Sequence, residues 1–241
     1  MPRPDDDVLA VAARRALGVR AAPIRDRRLL HAAPGRAVEA VRIAGRALVV
    51  KWRDDRPADR EALLYQGLSP GAHRLLGSAP MLGATGVAGT HLLFLAWVDG
   101  VHPDWSDPGD VHRAFAHLGR LHAGTARLIR SAPGALATDV AWRELGPEPG
   151  DADGEPLVLD PGDLHAENFL LLPGGGVCLV DFENMAVRPR DRALRQLGRD
   201  RSMPRGRVLD LALCTYWAAA GWEGDAAAFR RRVRGNAGDG S

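Results

Sequence analysis

The stretch "LDPGDLHAENFLLLPGGGVCLVDFEN", residues 159–184, sets a dense cluster of polar side chains in an otherwise apolar run. Two apolar segments, 169–172 and 177–180, flank Pro173 and three glycines. Apolar runs separated by so short a Gly/Pro stretch read as a β-hairpin. A hairpin brings its two ends together, so Asn168 and Asp181 are expected within a few residues of each other in space. One carboxylate and one amide oxygen, both hard ligands, suit Mg²⁺, which keeps several waters and is shared with substrate phosphates. Asp163 stands nearby without being needed as a ligand, so it is free to accept a proton.

Upstream, "RALVVKW" (46–52) holds Lys51, the one lysine among 32 Lys+Arg residues. Ala47, Val49 and Lys51 alternate with Leu48, Val50 and Trp52, as on a strand covered on both faces. An ammonium is a compact point charge suited to phosphate oxygens, whereas a guanidinium is a wide planar fork. A buried-stem, phosphate-binding cation is therefore a reason for lysine at this position. "AVEAVRI" (37–43) and "ALVVKW" (47–52), joined through Ala44-Gly45-Arg46, predict a hairpin, and 57–68 predicts a helix with Asp59 as a candidate cap and Glu61 in its first turn. The apolar stretches 81–87 and 91–98 complete a small sheet, and Asp99-Gly100 reads as a hinge between unit 1–98 and unit 99–241.

Beyond the hinge the period lengthens. Residues 110–128 place Val111, Phe115, Leu118, Leu121 and His122 on one helical face. "LVLD" (157–160) is an apolar strand-like run, and 190–201, 207–221 and 225–234 read as helices. The Gly/Pro/acid-rich segment 146–156 reads as a solvated loop; a cationic acceptor attracted by Asp151, Asp153 and Glu155 is the other reading.

Net charge is +2, with 32 basic against 30 acidic residues, a balance that does not favour a nucleic-acid partner. Cys178 and Cys214 both sit in apolar runs and are expected as reduced core residues, with no disulfide framework or zinc spacing. The first 20 residues put acids ahead of a short helix ending at Gly18, capped by Asp7 or a neighbour. They read as neither signal peptide nor membrane span, so a soluble, cytoplasmic protein is expected. The last dozen residues lose apolar periodicity and are expected to fray.

The segment Pro161-Gly162-Asp163-Leu-His-Ala-Glu-Asn168 and the segment Val180-Asp181-Phe182-Glu183 resemble the catalytic H-G-D-x-x-x-x-N and metal I-D-[FW]-[ED] motifs of the aminoglycoside phosphotransferase and choline kinase family. The resemblance is strongest over 156–184 and weak before 50 and after 200. It implies an α+β, bilobal protein-kinase-like fold: a small antiparallel-sheet N-lobe with one helix and a mainly helical C-lobe. It also implies roles. Lys51 matches the strand lysine that holds the α- and β-phosphates, paired with a helix glutamate for which Glu61 is chosen. The backbone at Ala96, Trp97 and Val98 would hydrogen-bond the nucleotide base, Asp163 would be the base or hydroxyl-orienting residue, and Asn168 and Asp181 would hold Mg²⁺.

The activity implied is transfer of the γ-phosphate of ATP, or GTP, to a hydroxyl of a small molecule such as an antibiotic or other natural product. Two alternatives stand beside it: phosphorylation of Ser or Thr in a peptide during natural-product biosynthesis, and a pseudokinase-type binding protein. The chain departs from the family where Pro161 replaces the motif histidine, where Ala193 replaces an Asp with Asp191 two positions early, and where the nucleotide-covering turn has the single glycine Gly35. It is also short for the family, in the helical lobe. Of the remaining polar residues, His165 reads as a loop-stabilising hydrogen-bonder, Glu183 equally as a supporting or metal group or as a solvated one, and His122 as core. Most of Trp97, Trp105, Trp142, Trp217 and Trp222 read as packing residues, with lining of an acceptor site as their other reading.

Overall fold

The computed structural model describes residues 5–20, 23–54, 60–147, 155–197 and 207–222. The chain divides into two compact units, one formed by Met1–Gln66 with Ala79–Val98 and the other by Gly67–Ser78 with Asp99–Ser241.

The first unit opens with helix α1 (Asp6–Leu17). Asp5, rather than Asp7, caps it by accepting from the Val8 N–H, and Gly18 closes it in the left-handed conformation. A five-stranded antiparallel sheet follows, β1 (Ile24–Ala33), β2 (Arg36–Ile43), β3 (Arg46–Asp54), β4 (Met81–Val87) and β5 (Thr90–Ala96), in the order β1-β2-β3-β5-β4. The β2–β3 and β4–β5 turns, Ala44-Gly45 and Ala88-Gly89, have positive φ at both central residues. That geometry matches the twist of the flanking strands. Helix α2 (Arg60–Gly67) lies between β3 and β4 in sequence.

Alternation decides the faces of the sheet. Ala37, Val41, Ile43, Leu48, Val50, Trp52, Leu92 and Phe94 form one buried core with Leu9, Ala12 and Ala13 of α1. Glu39 lies among them, 1% exposed, held by the Arg27 guanidinium and the Trp52 indole N–H (3.3 Å). Arg27 also reaches the exposed Asp6 at 2.7 Å, so one polar network, buried at Glu39, fastens α1 to β1, β2 and β3. Strand β1 has no counterpart in the sequence reading. It is an edge strand with two register shifts and exposed Leu29 and Leu30, so it lacks the alternation by which a half-buried strand is recognised.

Residues 67–78, assigned to the first unit by sequence, group with the second. Helix α3 (Pro70–Leu76) is capped by Ser69 and closed by Gly77, and this segment hydrogen-bonds forward: Ser69 N–H to Leu136 O (2.8 Å) and Thr138 N–H to Gly67 O (2.8 Å). The long helix α4 (Pro108–Ser131) starts at Asp107, which accepts from the Gly109 N–H, and buries all five residues of the anticipated face. Short helices α5 (Pro133–Leu136) and α6 (Asp139–Glu144) follow. Then come β6 (Leu157–Asp160), a 3-10 turn at Ala166–Asn168, the hairpin β7 (Phe169–Leu171) and β8 (Val177–Leu179), and β9 (Ala186–Pro189), which pairs with β6. Helices α7 (Arg190–Leu197) and α8 (Arg207–Ala220) complete the unit.

Cys178 is buried as expected, but Cys214 is exposed: it lies on the side of α8 away from the buried Ala212, Tyr216 and Trp217. Ala193 is fully buried in an apolar cluster with Ala126 and Val158. The Asp59 cap, Asp151, Asp153, the helix at 225–234 and the fraying tail lie outside the described residues. No helix among the described residues is long and apolar enough to cross a membrane.

Candidate active site

In the first unit, Lys51 lies on β3 opposite Val38 and Leu93, on the face turned away from the α1 core. Its ammonium sits 2.7 Å from Glu61 Oε1 of α2; the lysine side chain is 11% exposed and the glutamate side chain 0%. A buried ion pair offsets a desolvation cost of several kcal/mol and is weak evidence for stability. What this one provides is a cation at a fixed place, with its stem packed and its head oriented.

The Ala96–Val98 backbone is only partly available to a base. The Ala96 N–H donates to Pro80 O (2.9 Å) and the Trp97 N–H to Ala47 O (3.2 Å), because the β5 ladder runs one residue past its end on both sides. Pro80 has no N–H to return to the Ala96 carbonyl. The Val98 N–H has no hydrogen-bond partner among the described residues. The offered groups therefore narrow to the Ala96 carbonyl and the Val98 N–H.

In the second unit, the β7–β8 register pairs Phe169 with Leu179, and the Val180 N–H donates to Asn168 O at 3.0 Å. Asn168 thus stands opposite Val180 at the open end of the hairpin, with Asp181 the next residue along. The Asn168 amide nitrogen donates to the Asp163 carbonyl (2.9 Å), which leaves Oδ1 as the side chain's lone-pair donor. Phe182 is 1% exposed and anchors its segment, while Asp181 and Glu183 on either side are half-buried. Asp181 has φ 70°, a left-handed conformation that costs a non-glycine residue about 1–3 kcal/mol and is found where surrounding structure holds it.

Asp163 and His165 meet, with His165 Nε2 2.7 Å from Asp163 Oδ1 and the side chains 35% and 42% exposed. His165 therefore orients the candidate base itself, a contact that the reading of it as a loop-stabiliser did not specify. Glu167 points outward. The donor set fits Mg²⁺: one carboxylate and one oriented amide oxygen, with the other positions left to water and phosphate. No cluster of three or more His, Cys, Asp or Glu able to hold a metal by itself exists among the described residues.

Behind the site, Asp160 is fully buried; its Oδ1 accepts from the Gly162 N–H (3.1 Å) and its Oδ2 from Arg188 Nη1 (3.0 Å). Sequence reasoning missed this pair, although a carboxylate ending an apolar strand before Pro-Gly was the available signal. His122 is core: its Nδ1 meets the Tyr216 hydroxyl at 2.9 Å, and burial, aided by Arg190, lowers its pKa to about 3. Trp105 packs edge-on against Phe115 and Phe169 (6.0 and 5.8 Å), and Trp217 is buried under the Arg190 guanidinium; Trp97, 36% exposed, is the tryptophan most open to a ligand among these.

No family model matches the chain, and no curated protein resembles it in sequence. Solved structures do. A spectinomycin phosphotransferase in complex with ADP and spectinomycin is similar with a TM-score of 0.58 at 11% identity, over 92% of this chain and 80% of that one. A macrolide 2'-phosphotransferase from Brachybacterium faecium is similar with a TM-score of 0.56 at 17% identity, over 95% and 89%. An aminoglycoside phosphotransferase from Alicyclobacillus acidocaldarius is similar with a TM-score of 0.55 at 16% identity, over 91% and 78%. At these identities the likeness shows the fold: the α+β, kinase-like architecture of antibiotic phosphotransferases.

Proposed function

We propose that this protein is a Mg²⁺-dependent phosphotransferase that moves the γ-phosphate of ATP, or GTP, to a hydroxyl of a small molecule of the antibiotic or natural-product class. The observation that carries the reading is the hairpin, whose register puts Asn168 opposite Val180, the residue before Asp181, together with the hydrogen bond that ties Asn168 to the loop of Asp163. The buried Lys51–Glu61 pair supports it independently, because a lone lysine held in this way has its use in binding phosphate.

Lys51 holds the α- and β-phosphates, and Glu61 fixes its ammonium. The Ala96 carbonyl and Val98 N–H receive the base. Asn168 and Asp181 hold Mg²⁺, which neutralises phosphate charge when bound. Asp163, oriented by His165, positions the acceptor hydroxyl and takes its proton. Catalysis then consists of positioning and electrostatic stabilisation, with no covalent enzyme intermediate.

Thermal unfolding with ATP or GTP, each with and without Mg²⁺, on wild type and Asp181→Ala tests the reading. Ligand at about 100 times its dissociation constant adds roughly 2.7 kcal/mol, on the order of 5 °C for a chain of this size. A Mg²⁺-dependent shift that Asp181→Ala removes is the expected result. No shift with either nucleotide overturns the reading in favour of a kinase-shaped binding protein.

A further inference from the structure

We propose that Asp160, with Arg188 as its counter-ion, is a positioning residue that sets the geometry of Asp163 and stands in for the loop histidine that Pro161 replaces. The inference rests on the reading of Asp163 as the hydroxyl-orienting base.

Asp160 is the last residue of β6 and is 0% exposed. A carboxylate so placed costs several kcal/mol of desolvation unless both oxygens are engaged. Here both are. Oδ2 accepts from Arg188 at 3.0 Å, and Oδ1 reaches two residues along its own chain to the Gly162 N–H at 3.1 Å. Pro161 has no N–H and a fixed φ, so the Gly162 amide is the first donor the loop can offer, and Asp160 captures it.

Gly162 has φ 82°, and a Cβ added there would come 2.0 Å from the Asn184 carbonyl oxygen. The loop backbone therefore lies directly on the turn that carries Asp181 and Glu183. One residue later the Asp163 carbonyl accepts from Asn168 at 2.9 Å. The backbone of Asp163 is thus held on both sides, by Asp160 through the preceding residue and by Asn168 at its own carbonyl. Arg188 lies on β9, where Asp160 pairs with Ala186, so the ion pair links the strand before the Asp163 loop to the strand after the Asp181 turn. Asp160 is buried behind the loop, and its removal should displace Asp163 while sparing the nucleotide contacts.

The test is steady-state MgATP hydrolysis, with water as acceptor, together with amide hydrogen exchange over 162–165. The double variant Asp160→Ala/Arg188→Met removes both charges and leaves neither buried alone. It is expected to lower kcat about 100-fold, the cost of a base misplaced by about 1 Å, with KM for ATP unchanged and faster exchange over 162–165. Asp160→Asn keeps an oxygen for the Gly162 N–H and is expected to recover most of the rate. A double variant with wild-type kcat, or one whose loss falls on KM alone, overturns the proposal. If the wild type does not hydrolyse ATP, the nucleotide-induced thermal shift tests the phosphotransferase reading separately and exchange decides this one: unchanged protection over 162–165 in the double variant overturns the clamp, and faster exchange sustains it.

Discussion

The two halves of the candidate machinery are built by opposite means. Lys51 and Glu61 project from regular elements, a nine-residue strand in the middle of a five-stranded sheet and the first turn of a helix, and their geometry follows from strand alternation and helix phase. Asp163, Asn168 and Asp181 come from a loop, a single 3-10 turn and the segment two residues past the end of a three-residue strand. Their geometry follows from individual hydrogen bonds: Gly162 to Asp160, Asn168 to Asp163, Val180 to Asn168. A site on regular elements depends on side-chain identity, whereas a site on irregular backbone also depends on residues that never meet a ligand.

Substitutions can break or sharpen that contrast. The largest effect is expected from Asp163→Ala: kcat for phosphoryl transfer falls about 1,000-fold while the nucleotide-induced thermal shift persists. Full activity in this variant would falsify the assignment of the base. Next, Gly162→Ala forces a side chain into a left-handed conformation and against the Asn184 carbonyl. A stability loss of about 3 kcal/mol is expected in denaturant unfolding, and a loss under 1 kcal/mol, roughly the surface-mutation range, would mean that the loop is not clamped.

Lys51→Arg probes the regular half. A wide guanidinium in place of an ammonium 2.7 Å from a fully buried carboxylate is expected to weaken nucleotide binding about 10- to 100-fold, measured by titration calorimetry. Equal binding would remove the argument from the lone lysine.

The smallest effect concerns pH. Burial, with the nearby Asp191 carboxylate, raises the pKa of Glu155 from 4.5 to about 7. The folded chain therefore holds this proton more tightly than the unfolded chain, and the associated stability is full below about pH 4.5 and lost as pH rises through about 7. His117 and His122 act in the other direction, with pKa values lowered from 6.5 to about 4 and about 3, so their contribution is present above pH 6.5 and lost as pH falls. The difference in Tm between wild type and Glu155→Gln isolates the carboxyl: wild type should lose ground to the variant between pH 5 and 7.5, and parallel curves would exclude this role for Glu155.

Regular elements with strong local signals were legible in sequence: the β2–β3 and β7–β8 hairpins from their Gly-containing turns, and the buried face of α4 from its period. Strand β1 was not, because an exposed, bulged edge strand has no buried face to print a pattern. Helix α3 was missed although Ser69, Pro70 and Gly77 mark its ends, since at seven residues it shows barely two turns of period. Strand β9 was missed too; it is four residues long and pairs with β6, a partner 26 or more residues away in sequence at each position.

By itself the sequence determined the inventory: a lone lysine on an alternating strand, Asp163 and Asn168 at a motif's spacing, and Asp181 across a tight hairpin. These are local properties, written in turn chemistry and periods of two and 3.6 residues. Tertiary structure decided which charges are buried and, beyond the Lys51–Glu61 pairing that the resemblance already implied, which partners hold them: His165 on Asp163, and Arg188 on Asp160, 28 residues away in sequence. The physical reason is that desolvation depends on what the rest of the chain packs around a group, and no window of sequence around an aspartate contains that information.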